Sequence, residues 1–169
     1  MQKDFQNAGQ QVGKAADKTV RTERMSIRRL VLIVDDEHIN RRLLGKIAET
    51  EYDVIYAEDG REALDLIRRH RKTLSMILLD LMMPNMDGYE LLSVIRGDPD
   101  LSRIPVIVLT SEHTAEVKSL QLGASDFIPK PYDMPEVILA RVRRLIELAE
   151  DKNIINATGY DSLSGLYTK

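Results

Sequence analysis

The chain has 169 residues, with 43% hydrophobic and 30% charged side chains, a balance that fits a globular domain with extensions. Its net charge of −3 gives no bulk electrostatic case for a polyanion partner, and the absence of cysteine excludes disulfides and thiolate metal sites. No apolar run reaches the length of a membrane span and the N-terminus lacks the apolar core of a signal peptide, so a cytoplasmic protein without a membrane partner is expected.

Residues 1–28 read as an extension. Phe5, Ala8, Val12, Ala16 and Val20 lie at roughly helical spacing, but Gly9 and Gly13 interrupt them. Each glycine costs ~1 kcal/mol relative to alanine in a helix, so a disordered or weakly helical segment is expected. Met25-Ser26 reads as a second start, which makes the preceding stretch look like a leader.

From residue 29 short apolar runs alternate with helical patterns. Runs near 30–34, 53–57, 76–80, 104–109 and 124–128 read as strands. Between them, Ile39, Leu43, Leu44, Ile47 and Ala48 form one helical stripe, Ala63, Leu64 and Ile67 a second, and Leu91, Leu92 and Ile95 a third. Val117, Leu120 and Gln121 form a weaker fourth, and Val137, Ile138, Ala140, Arg141, Leu145 and Ile146 open a long last helix over about 134–157. All these stripes are expected to face the core. Asp59-Gly60, Pro84, Asp87-Gly88, Gly97-Asp98-Pro99 and Gly123 punctuate the pattern where turns are needed. The order predicts an α/β fold: a three-layer, doubly wound, five-stranded parallel sheet of flavodoxin-like type.

Four strand ends carry the chemistry. Asp35-Asp36 follow the first run, Asp80 ends the third, Thr110-Ser111 follow the fourth and Lys130-Pro131 follow the fifth. In a parallel sheet these ends share one edge, where ligands bind in open α/β folds. Two unit charges 4 Å apart interact by about 4 kcal/mol at an effective dielectric near 20, so clustered carboxylates call for a cation. His38, His70 and His113 are scattered without ligand spacing, which leaves a hard, oxygen-preferring ion, best matched by Mg²⁺. Asp80 is the candidate nucleophile toward phosphorus, with Lys130 and the Thr110 hydroxyl as contacts for phosphoryl oxygens. Lys130-Pro131 is a candidate cis peptide bond.

The set Asp35-Asp36, Asp80, Thr110 and Lys130-Pro131 resembles the receiver domain of bacterial two-component response regulators, the CheY-like fold. Leu79 through Gly88, Gly123 through Phe127 and Lys130-Pro131-Tyr132 extend the resemblance, which spans about residues 29–148. It implies that Asp80 accepts a phosphoryl group from a sensor histidine kinase or phosphotransfer protein. Asp35, Asp36, Asp80 and the backbone carbonyl of Met82 would hold Mg²⁺. Thr110 and Phe127 would be the switch pair, with phenylalanine where tyrosine is commoner, and Met82 and Glu112 match positions that tune dephosphorylation in the family. The readout is expected on the fourth helix, fifth strand and fifth helix, a face that also allows a homodimer. No enzymatic turnover beyond the aspartate's own phosphorylation and no nucleic-acid binding by this stretch are expected.

Residues 149–169 read as a linker helix and the start of an output domain. Tyr160 through Lys169 resemble the opening of a diguanylate cyclase (GGDEF) domain, with Ser164 and Thr168-Lys169 departing from the usual threonine and Asn-Arg; a plain linker is the alternative. The resemblance implies an output related to cyclic di-GMP. A haloacid-dehalogenase-type phosphatase needs a second aspartate where Met82 stands, and a nucleotide or flavin module needs a glycine-rich loop where Asp35-Asp36-Glu37 stand. A phosphorylation-independent interaction scaffold remains as the other reading.

Overall fold

The computed structural model describes residues 28–111, 113–131 and 134–157. The expectations for residues 1–27 and 158–169, and for Glu112 and Tyr132, lie outside the described residues. Strands β1 (Leu30–Val34), β2 (Asp53–Ala57), β3 (Leu74–Asp80), β4 (Val106–Thr110) and β5 (Asp126–Pro129) alternate with helices α1 (His38–Ala48), α2 (Gly60–Arg69), α3 (Gly88–Gly97), α4 (His113–Gln121) and α5 (Pro135–Ala157). The strands are all parallel, in the order β2-β1-β3-β4-β5, which is the flavodoxin-like order.

Alternation along each strand sends its residues to two cores. Leu32, Val34, Ile77, Leu79, Val106 and Val108 pack beneath α2, α3 and α4, joined by Ala63, Ile67, Leu91, Leu92 and Ile95. Val31, Ile33, Met76, Leu78, Ile107 and Leu109 pack on the other face with Leu44, Ile47, Ile138, Val142 and Ile146 from α1 and α5. The central strands β1, β3 and β4 are therefore covered on both sides, which explains their unbroken apolar runs.

Three strand starts differ from the expected ones by two residues. β3 begins at Leu74, and β4 begins only at Val106. Pro105 has no N–H to give a ladder, although its carbonyl accepts from the Ile77 amide at 3.0 Å. Ala124 and Ser125 lie in the turn before β5.

The expected core stripes need correction at seven positions. Ile39 is 78% exposed, Leu43 44%, Val117 61%, Leu120 45% and Val137 43%, and Gln121 and Ala140 are exposed as well. Ile39 and Leu43 share a flank of α1, one turn apart, rotated away from Leu44, Ile47 and Ala48, which meet the sheet. On α4 only Ala115 and Ser119 are buried among the side chains described, so the helix touches the sheet along a narrow strip. Among the described residues no helix is long and apolar enough to cross a membrane.

Candidate functional site

The shared strand edge brings together what the sequence placed at separate ends. Asp35, Asp36 and Asp80 offer carboxylate oxygens that all lie within 4.8 Å of one another. Asp35 and Asp80 are buried and Asp36 is exposed. Lys130 Nζ reaches in from the end of β5, 3.3 Å from Asp80 Oδ1 and 3.5 Å from Asp35 Oδ2. The Lys130–Pro131 bond is cis, as its sequence suggested. Thr110 ends β4 opposite Pro129 and is buried; its carbonyl accepts from the Lys130 amide at 2.9 Å. Phe127 stands two residues back on β5, half-buried against the α2–α4 core. Thr110 and Lys130 are thus on neighbouring strand ends, and Phe127 is one pleat below them.

The electrostatics are unbalanced. Asp35 Oδ1 accepts from the Glu37 amide at 2.9 Å, while its Oδ2 is buried without a hydrogen bond. The Lys130 contact to that oxygen is a charge contact at ion-pair distance and does not have hydrogen-bond geometry. Asp80 Oδ1 accepts from the Met82 amide at 3.3 Å. Burial, and then the neighbouring Asp35, push the Asp80 carboxyl up to about 6, against the opposing pull of Lys130 and the Met82 amide. One ammonium therefore does not neutralise three carboxylates. A hard cation fits this set: the donors are all oxygen, one buried lone pair has no partner, and the exposed Asp36 leaves a side open to water and substrate. Mg²⁺ meets those requirements.

Local sequence explains why the loops hold these positions. Asp87 caps α3 by accepting from the Glu90 amide at 2.9 Å, and Gly88 lies against the end of β3. A Cβ at Gly88 would come within 2.6 Å of the Asp80 carbonyl oxygen, so only glycine lets α3 begin so near the candidate nucleophile. Two residues to which the sequence assigned no role of their own, Arg41 and Asn85, also belong to the surroundings, together with Asp59. Arg41, buried on α1, donates to the Asp35 carbonyl at 2.7 Å and to Glu58 Oε1 at 3.2 Å. Asn85, at φ 66°, donates to Asp59 Oδ2 at 3.1 Å. An arginine inside a helical pattern looks like a solvated residue, so nothing local marks Arg41. The pair Asp59-Gly60 did stand out, but only as a helix start.

Residues 31–143 match the family model described as response regulator receiver domain. The "Probable transcriptional regulator ycf27" of Porphyridium aerugineum is 38% identical over 135 residues, covering 76% of this chain and 54% of that protein. The "Response regulator MprA" of Mycolicibacterium vanbaalenii is 38% identical over 120 residues, covering 70% of this chain and 50% of that protein. The chain thus spans about half the length of the curated relatives it matches. A solved signal receiver domain of a signal transduction histidine kinase from Syntrophus aciditrophicus is 38% identical, with a TM-score of 0.63 over 70% of this chain and 90% of that one.

Proposed function

This chain belongs to the response regulator receiver domain family, and from that premise we propose that it is a phosphorylation switch whose acceptor is Asp80. The observation that carries the reading is the convergence of Asp80 with Asp35, Asp36 and Lys130 at one strand edge. The donor is a phosphohistidine of a sensor kinase or phosphotransfer protein. An Asp80 oxygen forms the new bond to phosphorus as the bond from phosphorus to the donor's imidazole nitrogen breaks, and the leaving electron pair stays on that nitrogen. The product is an acyl phosphate on Asp80, and no other substrate is turned over.

Asp36, Asp80 and the Met82 carbonyl, with Asp35 directly or through water, are the residues that would hold Mg²⁺. When bound, the ion neutralises charge on the transferring phosphoryl group. Lys130, already beside the Asp80 carboxylate, is placed to follow one phosphoryl oxygen as a point charge. Exposed Asp36 and Met82 leave the approach to Asp80 open to a donor protein. The low charge tolerance of the buried pair favours attack by Asp80 only once a cation offsets Asp35.

Thr110 and Phe127 form the switch pair, the hydroxyl donating to the phosphoryl group and the ring moving with it. Phosphorylation adds about −1.5 to −2 charge and three acceptor oxygens. Shifting a population from 1:99 to 99:1 takes ~5.5 kcal/mol of differential stabilisation, an order that bonds from Lys130, Thr110 and backbone amides can supply. Exposed Val117 and Leu120 on α4 and Val137 on α5 support a readout, and pairing of two copies, on the α4–β5–α5 face. The output is a following domain related to cyclic di-GMP, as the GGDEF-like stretch Tyr160–Lys169 suggests, and the site of action is the cytoplasm.

Intact-mass analysis after incubation with Mg²⁺ and acetyl phosphate tests the acceptor. A single added phosphoryl group on the wild type, lost with chelator and absent from Asp80→Ala, is the expected result. Absence of both that adduct and a beryllofluoride complex would leave the phosphorylation-independent scaffold as the better reading.

A further inference from the structure

The turn from β2 into α2, Glu58-Asp59-Gly60, supplies no ligand to the acidic site, yet it is bonded to the β3–α3 loop directly and to Asp35 through Arg41. Asp59 uses its two oxygens for different ends. Oδ1 accepts from the Glu62 amide at 2.9 Å and caps α2, while Oδ2 accepts from Asn85 Nδ2 at 3.1 Å. Those bonds, the Glu62 amide first and Asn85 next, hold the Asp59 carboxyl below the usual range. The Gly60 amide donates to the Met86 carbonyl at 3.1 Å, and a Cβ at Gly60 would come within 2.7 Å of Met86 Cγ. Glu58 holds Arg41, which in turn holds the Asp35 carbonyl.

We propose that Asp59 is a positioning residue: through Asn85 it fixes the β3–α3 loop so that Met82 and Asp80 face a divalent cation together. The inference rests on the metal reading of the acidic site. Residues 82–87 are fastened at three places. At the start the Met82 amide bonds Asp80 at 3.3 Å; in the middle Asn85 and Met86 bond the β2–α2 turn; at the end Asp87 caps α3. Asn85 adopts a left-handed backbone at φ 66°, a conformation that asparagine tolerates and that aims its amide at Asp59. Without the Asp59–Asn85 bond, the middle of the loop is held only by the Gly60 amide on the Met86 carbonyl. Residues behind metal ligands orient them in this way.

Capping alone would make Asp59 merely structural, and two substitutions separate the roles. Asp59→Ser keeps a capping oxygen but has no second acceptor for Asn85. Asn85→Gly keeps the left-handed backbone and removes the amide. Asp59→Asn retains a capping oxygen, and its amide can donate to a flipped Asn85, so it is the rescue variant.

The test uses the full 169-residue chain, with hydrogen exchange by mass spectrometry in metal-free buffer and Mg²⁺ titration by calorimetry. Asp59→Ser and Asn85→Gly should each speed exchange within 82–87 and weaken Mg²⁺ binding by about tenfold. The double variant should be no worse than either single, because both break one bond. Asp59→Asn should match the wild type in both readouts. Unchanged loop exchange and unchanged Mg²⁺ affinity in both single variants, or losses that add in the double variant, would overturn the proposal. If the wild type takes up no Mg²⁺, the metal reading of the site is what fails, and the exchange arm alone decides whether Asp59 positions the loop.

Discussion

The two ends of the sheet handle charge in opposite ways. At the C-terminal edge, three carboxylates share one ammonium, and a buried Asp35 oxygen has no hydrogen bond. At the N-terminal edge, cations and acceptors are matched. Arg96 donates to the carbonyls of Gly123, Ser102 and Ile104 at 2.6, 2.8 and 2.8 Å. Arg28 bonds the Glu49, Glu51 and Tyr52 carbonyls, Arg29 grips both oxygens of Glu150, and Arg143 grips both of Glu51. One edge is closed and bonded, and the other is left short of positive charge. The difference teaches where stability and function lie: the edge proposed to receive a cation and a phosphoryl group is the one its own side chains do not neutralise.

The largest expected effect tests the closed edge. Among the described residues no carboxylate pairs with Arg96, which is half-buried, with its guanidinium held below the usual range by desolvation. Arg96→Ala removes its carbonyl bonds and should lower unfolding free energy by about 3 kcal/mol. Arg96→Lys should recover only a minor part, because an ammonium on a single stem does not span those carbonyls. Urea denaturation of the three proteins measures this.

The next effect tests the open edge from the cation's side. Mg²⁺ at about a hundred times its Kd should stabilise the folded protein by about 2.7 kcal/mol. The same addition should leave Asp80→Asn nearly unmoved. Equal stabilisation of both proteins would mean that the ion binds elsewhere.

A third test removes charge from that edge. The Asp80 carboxyl is raised from 3.8 to about 6, so the folded state holds the proton more tightly than the unfolded one. Its contribution to stability is fully present below 3.8 and is lost as pH rises through about 6. Metal-free wild type should therefore lose stability between those values relative to Asp80→Asn, with Asp80→Asn more stable at pH 8 by about 2 kcal/mol. Denaturation midpoints measured across that pH range would contradict the unbalanced charge of the open edge if the two curves ran parallel.

The smallest effect lies among the exposed pairs. Glu150 is held below its usual range mainly by its bond from Arg29, so the pair's contribution is present above 4.5 and falls away as pH drops through the folded value. Both side chains are well exposed, so Glu150→Gln should cost under about 1 kcal/mol and less in high salt. A larger loss would mean that α5 depends on this pair to stay seated.

Much of the open edge could be read in the sequence, because each of Asp35, Asp80, Thr110 and Lys130 directly follows or ends an apolar run. Little of the closed edge could. Arg96 stands in a helical pattern next to a glycine, and its acceptors lie six, eight and 27 residues away with no motif to link them. The α1 stripe misled in part, since periodicity gives a face but not where the sheet beneath it stops; Ile39 and Leu43 fall beyond that limit.

By itself the sequence determined the alternation of strands and helices, the parallel sheet and which polar residues stand at its C-terminal edge. These rest on local order: side-chain period, turn residues and the polar group that ends each run. Only the tertiary structure decided how far each carboxylate is desolvated, that Asp35 keeps an unbonded oxygen, and that Asp59 and Arg41 tie the two acidic loops to one turn. Burial and hydrogen-bond partnership depend on which distant segments arrive at the same place, and no local pattern records that.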